Sequence, residues 1–222
     1  MEKIAILAAY NLENTIKEIV ERTNKFVDLV IVVSDGSNDN TNLIAKIAGA
    51  ECPEHTKTRG KGFAIRKGIE YSKKFDPKYI VLMDADGQHL PEEIPNLIQP
   101  LEKGSCDVVV GSRMKGKIKT SKINMIGNYF LIFLSFLVTG KYFSDTESGF
   151  RAFDAKKLYQ LKLNSIYYEI ETELLLKSLH EGYRIIELPI TVLKAVPGIT
   201  VFDGIKNGIY KLKLGIGLKL NK

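Results

Sequence analysis

Apolar residues in the first half of this chain come in short unbroken runs, separated by stretches in which they recur every three or four positions. The runs at 3–9, 29–33, 79–83 and 107–111 predict buried strands, and the periodic stretches at 14–24, 40–48, 60–75 and 91–103 predict helices. The third helix opens on a Gly60-Lys61-Gly62 turn and the fourth on Pro91. Strand and helix alternating in this way predict an α/β fold: a mostly parallel sheet with helices on both faces.

The second half is less regular. Residues 121–138 read as one long helix that is most apolar between Phe130 and Val138. That run is shorter than the roughly 20 apolar residues a bilayer span needs, so it predicts either a buried core helix or a helix lying at a membrane interface. A further helix is expected at 168–181 and a strand at 184–193. From Gly204 onwards Lys206, Lys211, Lys213, Lys219 and Lys222 stand among Ile, Leu and Tyr, a basic amphipathic tail of the kind that binds membrane surfaces. Its glycines at 204, 208, 215 and 217 argue against a firm helix there. The expected organisation is one domain over 1–195 with the tail at 196–222.

Charge narrows the partners. A chain of 222 residues with 45% hydrophobic and 26% charged content has ample material for a core. Its net charge of +6 and pI near 9.1 favour an anionic partner such as a nucleotide, a lipid phosphate or a membrane surface. A nucleic-acid partner is not expected, because the lysines between Lys115 and Lys122 lack the interleaved aromatics that stacking on bases requires. Cys52 and Cys106 lie far apart without metal-ligand spacing and read as reduced, in keeping with a cytoplasmic setting. No signal peptide is evident, since Met1-Glu2-Lys3 runs straight into the first strand.

Three predicted strands end in polar chemistry, at the sheet edge where open α/β folds bind ligands. The strand at 79–83 ends at Asp84-Ala85-Asp86-Gly87-Gln88-His89. Carboxylates at i and i+2, with the Gln88 amide oxygen beyond, suit a hard cation, Mg²⁺ or Mn²⁺, that would bridge a nucleotide pyrophosphate. Asp35-Gly36-Ser37 follows the second strand, where Asp35 could accept hydrogen bonds from a base or ribose. Arg113, in Gly111-Ser112-Arg113, could fork onto a phosphate. Each motif also has a plain reading as a turn, a helix cap or a surface arginine. Thr58-Arg59-Gly60-Lys61-Gly62 lacks the first glycine and the Lys-Ser/Thr ending of a Walker loop.

Taken in order, Ala8-Ala9-Tyr10-Asn11, Asp35 to Thr41, Gly60-Lys61-Gly62, Asp84 to His89 with Pro91, Gly111-Ser112-Arg113 and Asp145-Thr146-Glu147-Ser148-Gly149-Phe150-Arg151 resemble family 2 glycosyltransferases of GT-A, Rossmann-like fold. The resemblance is strongest to the dolichyl-phosphate (polyprenyl-phosphate) mannosyl- and glucosyltransferases and covers roughly residues 1–195. It implies that Asp35, Ala9, Tyr10 and Glu13 meet the nucleoside, and that Lys61, Asp84, Ala85, Asp86 and Glu171 complete the nucleotide-sugar site. It makes Asp84 and Asp86 the DxD-type pair, with Asp86 and Gln88 as direct metal ligands. Asp145, Arg113 and Arg151 become catalytic, with Arg113, Lys122 and Arg151 on the acceptor phosphate and Glu171 and Glu173 on a helix closing the sugar pocket.

Some positions depart from the family pattern. Ala8 and Leu12 replace a proline and a carboxylate, Ser34 replaces the first of two acids, and Thr58-Arg59 stands where an asparagine is usual. The basic Gly-x-Ser-Lys element reads Pro197-Gly198-Ile199-Thr200, which leaves Lys194 or Lys206 as replacement cations. The resemblance implies metal-dependent, inverting transfer of a hexose or N-acetylhexosamine from a UDP- or GDP-linked donor to polyprenyl phosphate, by a peripheral protein on the cytoplasmic face of a membrane. A lipid phosphate is already ionised near neutral pH and needs no general base. A glycan or small hydroxyl acceptor, the alternative, would need one, and Asp145 is the candidate.

Overall fold

The computed structural model describes residues 1–53, 57–117, 122–193 and 201–220. Strands β1 (Lys3–Ala9), β2 (Leu29–Ser34) and β3 (Tyr79–Asp84) alternate with helices α1 (Ile16–Thr23), α2 (Thr41–Ile47) and α3 (Lys61–Ser72). Helix α4 (Ile94–Glu102) then leads to β4 (Val108–Lys117) and the long α5 (Lys122–Thr139). Strand β5 (Arg151–Asp154), helices α6 (Ala155–Gln160) and α7 (Ile170–His180), strand β6 (Ile185–Thr191) and helix α8 (Val201–Leu220) complete the chain.

Six strands form one sheet in the order β2-β1-β3-β5-β4-β6. β1 runs parallel to both neighbours, and its register sets Ala9 beside Ser34 and Ala8 beside Asp84. The carboxyl ends of β1, β2 and β3 therefore share one edge. Alternate residues feed two cores: Ala5, Leu7, Val81 and Met83 face α1 and α4, while Ile4, Ile6, Ile80 and Leu82 face α3 and α7.

β5 is antiparallel to both β3 and β4. At four residues it is too short to register as a periodic run, and neither it nor α6 is foreseen from the sequence. Because β5 runs backwards it starts at the carboxyl edge, with Arg151 paired to Leu82 and Val110. The polar 145–150 segment just before it is thereby pinned beside Asp84. β4 continues past residue 111 to Lys117, extending its parallel pairing with β6.

The apolar 121–138 run and the glycine-bearing tail become α5 and α8, packed on each other, with α7 also against α8. The core reading holds for one face of α5, and the other face is apolar and exposed. Leu131, Leu134, Ser135 and Val138 are buried, while Tyr129, Phe130, Phe133, Phe136 and Leu137 are exposed on the opposite stripe. α8 is continuous in spite of its glycines and likewise shows Ile205, Ile209, Leu212 and Ile216 to solvent, with Lys206, Lys213 and Lys219 alongside. Among the described residues no helix is long and apolar enough to cross a membrane. Lys119, Lys194, Lys222 and the Pro197-Gly198-Ile199-Thr200 element lie outside the described residues, as do the side chains of Lys117 and Lys122.

Candidate active site

The loops after β1 and β2 are sewn together at the carboxyl edge of the sheet. Asn11 N–H donates to Ser37 Oγ at 3.0 Å, Asn38 N–H to Asn11 Oδ1 at 3.0 Å, and Asn40 N–H to Glu13 Oε2 at 3.1 Å. Ala9 is buried and its carbonyl accepts the Asp35 N–H at 2.8 Å, whereas Tyr10 is half exposed at the strand end. The buried Asp35 carboxylate accepts the backbone N–H groups of Arg59 and Gly60 at 2.9 and 2.7 Å. Asp35 thus fixes the turn into α3. That turn needs glycine: Gly60 has φ 110°, and a Cβ there would lie 2.5 Å from Ile166 O.

The turn delivers Lys61, whose Nζ lies 2.6 Å from Asp84 Oδ1 at the end of β3 and 2.7 Å from Glu171 Oε1 in the first turn of α7. Burial works against the Lys61 charge, but the two carboxylates outweigh it and raise its pKa, so it is an ammonium at neutral pH. Burial likewise opposes the charge on Asp84. Lys61 and His89, whose Nε2 is 3.7 Å from Asp84 Oδ2, prevail and hold this carboxyl well below its usual range. Glu171 goes the other way: burial dominates and pushes it up despite Lys61.

Asp86 sits differently. Its Oδ1 accepts the Gln88 N–H at 3.0 Å and its Oδ2 the Gln88 Nε2 at 2.5 Å, and among the described residues no ion pair reaches it. Asp84 is therefore neutralised from within, while Asp86, backed by the Gln88 amide, is a partly exposed carboxylate at the opening. This oxygen set fits a hard divalent cation shared with phosphate oxygens. Ala85 between them is buried and contributes no side-chain chemistry.

On the other flank, Arg113 of β4 forks onto Asp145, Nε to Oδ2 at 2.7 Å and Nη2 to Oδ1 at 2.8 Å, and its backbone N–H adds a third bond at 3.0 Å. Burial would raise the Asp145 carboxyl, but Arg113 overrides it and the group stays ionised below its ordinary pKa. Burial opposes the charge of Arg113, but Asp145, and then Glu147 and Asp84, outweigh it and raise its pKa, so charges from both flanks reach this guanidinium. Gly149 closes the distance between them: a Cβ there would stand 2.6 Å from Asp84 Oδ2.

Arg151 takes another part than the one expected of it. Only 1% exposed, it donates Nε to Ser148 O at 2.9 Å, Nη1 to Glu171 O at 2.8 Å and Nη2 to Thr146 O at 2.8 Å. A guanidinium engaged on three carbonyls holds the loop to α7 and does not reach out to a phosphate. Glu173 is also turned away, accepting the N–H groups of Asn164 and Ser165 and pairing with Lys177 at 2.7 Å.

Three residues given no part in the site from the sequence belong to it, among them Lys211, expected on a membrane-facing tail but fully buried. Glu187 on β6 accepts the Ser144 N–H at 2.8 Å, the Ser144 Oγ–H at 2.9 Å and the Asp145 N–H at 3.0 Å, and pairs with Lys115 at 3.2 Å. Glu147 pairs with Lys211 of α8 at 2.8 Å. Burial opposes the charge of Glu147, but Lys211 lowers its pKa below normal.

Residues 4–162 match the model of the family described as "Glycosyl transferase family 2". The chain belongs to that family. As a family 2 glycosyltransferase it is 32% identical, over 97% of both chains, to the UDP-N-acetylglucosamine–dolichyl-phosphate N-acetylglucosaminyltransferase of Methanococcus voltae. It is 26% identical to the polyprenol monophosphomannose synthase of Mycolicibacterium smegmatis, over 94% of this chain and 84% of that one. The crystal structure of Mycobacterium tuberculosis glucosyl-3-phosphoglycerate synthase in complex with Mn²⁺ and UDP-glucose superposes with a TM-score of 0.74 at 20% identity, covering 97% of this chain and 79% of that one. That likeness shows the fold: a six-stranded sheet with helices on both faces.

Proposed function

We propose that this family 2 glycosyltransferase moves a hexose or N-acetylhexosamine from a nucleoside-diphosphate sugar to a polyprenyl phosphate, with a divalent cation and inversion at the anomeric carbon. The observation that carries the choice of acceptor is the Arg113–Asp145 fork. A carboxylate chelated by a guanidinium and held below its usual pKa is a poor proton acceptor. Glu147, the other acid on that loop, is neutralised by Lys211 in the same way. A hydroxyl nucleophile would lack a base here; an already ionised phosphate needs only cationic surroundings, which the Nη1 end of Arg113 and Lys115 provide.

In this reading the donor diphosphate lies over the ends of β1 to β3, between the Asp35 loop and Asp86. Asp86 and Gln88 would hold Mg²⁺ or Mn²⁺, which supplies Lewis-acid stabilisation to the departing diphosphate. Lys61 cancels the charge of Asp84, so that the anionic donor meets one uncompensated carboxylate instead of two. A phosphate oxygen of the acceptor forms the bond to the anomeric carbon as the bond to the diphosphate oxygen breaks. A single displacement inverts that centre and gives a β-linked product from an α-linked donor.

The exposed apolar stripes of α5 and α8, flanked by Lys206 and Lys213, suit a helix pair lying in an anionic bilayer surface, where such an acceptor resides. The protein then acts as a peripheral enzyme on the cytoplasmic face, where nucleotide sugars are supplied. The test is transfer from UDP-GlcNAc, UDP-glucose and GDP-mannose, with Mn²⁺, to polyprenyl phosphate in vesicles. Product formed only with the lipid phosphate, lost with EDTA and β-configured by NMR is the expected result. Equal transfer to a hydroxyl acceptor would overturn the acceptor, and retained configuration would overturn the displacement.

A further inference from the structure

Gly208, Lys211 and Gly215 follow one another at helical spacing on the face of α8 that meets α5. A Cβ on Gly208 would lie 3.2 Å from Leu134 Cδ1, and one on Gly215 would overlap Val138 Cγ1. The two glycines bring the helices close, and Lys211, 0% exposed, runs through the seam between them. Its Nζ donates to Leu131 O of α5 at 3.2 Å, to Thr146 Oγ1 at 3.0 Å and to Glu147 Oε1 at 2.8 Å. One turn earlier, the buried Asn207 donates Nδ2 to Glu147 Oε2 at 3.4 Å and to Tyr168 O at 3.3 Å. Glu147 in turn gives its N–H to Asp145 Oδ1 at 3.2 Å, the oxygen that also accepts Arg113 Nη2.

A buried ion pair of this kind is weak evidence for stabilisation, because apolar replacements of similar volume often serve as well. It does impose a geometry. A lysine at the centre of a helix–helix seam, with all three acceptors on α5 and the 145–151 segment, ties three pieces of chain to one point.

We infer that Lys211 is a positioning residue: through Glu147 it holds the Arg113–Asp145 pair in line, and it joins the acceptor-side loop to the α5–α8 helix pair as one body. The inference rests on the reading of that loop as the acceptor side. Donor binding, which uses the opposite flank, is independent of it.

The test compares the full-length wild type with the double variant Glu147→Gln/Lys211→Met, which removes both buried charges together. Three readouts are taken: amide hydrogen exchange over 144–149, the KM for the nucleotide sugar, and kcat with polyprenyl phosphate in vesicles. The expected result is exchange at least tenfold faster and kcat at least tenfold lower, with donor KM within twofold of wild type. Exchange within twofold of wild type would overturn the inference whatever the activity, and so would an unchanged kcat. Should the double variant not fold, Thr146→Val takes away one acceptor of Lys211 and leaves the ion pair. It is expected to speed exchange of the loop at least threefold, and unchanged exchange there overturns the inference. Absence of transfer by the wild type from every donor would defeat the proposed function alone, since the exchange comparison decides the role of Lys211 without any turnover.

Discussion

Arg113 grips both oxygens of Asp145, at 2.7 Å through Nε and 2.8 Å through Nη2, and the Arg113 backbone N–H returns to the same carboxylate. A planar fork makes this geometry and an ammonium does not. Arg113→Lys is expected to lower kcat by at least about tenfold, roughly 1.4 kcal/mol of barrier, with the donor KM little changed. Steady-state kinetics with saturating acceptor would check it.

The same pair gives a pH signature. Asp145 has a folded pKa below its unfolded value of about 3.9, so its contribution to stability is present above that pH and is lost as pH falls towards the folded pKa. The Tm difference between wild type and Asp145→Asn should be widest near neutrality and shrink below about pH 4. Activity should instead fall off near pH 6, the second ionisation of a phosphate monoester. Because that limb belongs to the acceptor, Asp145→Asn should lower the rate without moving its midpoint; a shifted midpoint would make Asp145 the base.

Asp84 and Asp86 stand two residues apart and answer differently to the loss of charge. Asp86→Asn should abolish Mn²⁺-dependent binding of UDP, read by calorimetry, while Tm stays within a few degrees. Asp84→Asn strands the buried ammonium of Lys61 on Glu171 alone and should cost about 3 kcal/mol or more of stability, seen in urea unfolding. Equal effects of the two substitutions on Mn²⁺ binding and on stability would show that the division of labour is wrong.

Glu187 has no direct line to a substrate, yet three donors of Ser144 and Asp145 end on it. Glu187→Ala leaves them without their acceptor, at about 1–3 kcal/mol for each one that water does not reach. A fall in Tm of roughly 5–10 °C and a matching loss of kcat are expected. Glu187→Gln, which keeps an acceptor oxygen, should recover part of both.

Phe133 of α5 and Ile209 of α8 are 55% and 50% exposed. Burying such side chains contributes about 1.5–3 kcal/mol each. Phe133→Ser with Ile209→Ser should therefore weaken partition onto anionic vesicles at least tenfold, measured by sedimentation, with Tm unchanged. Loss of Tm without loss of partition would mean that these positions pack within the protein.

Much of the β1–β3 edge was legible in the chain. β1, β2 and β3 are continuous apolar runs that stop at polar residues, and a parallel sheet buried on both faces requires that pattern. The flank built by β4, β5 and β6 was harder to read for identifiable reasons. β5 is four residues long, below the length at which periodicity speaks. Glu187 lies in a strand where an acid reads as solvent-facing, and its partners are backbone N–H groups 42 and 43 positions away. Lys211 stood among other lysines in a glycine-rich stretch. Only the close approach of α5, which those glycines permit, makes it an interior residue. Arg151 was read as a phosphate ligand from its motif, but an arginine opening a central strand is enclosed on every side and finds carbonyls instead.

The place of β5 also orders events on the ribosome. β4 is synthesised more than thirty residues before β5, yet it reaches β3 only across β5, and β6 only extends the sheet beyond β4. A nascent chain that has emerged through α5 carries β1, β2 and β3 in their native order, but β4 still lacks β5, its native link to β3. Emergence of residues 151–154 closes the gap, so the segment that brings Asp145 to the sheet edge is also the keystone of its folding.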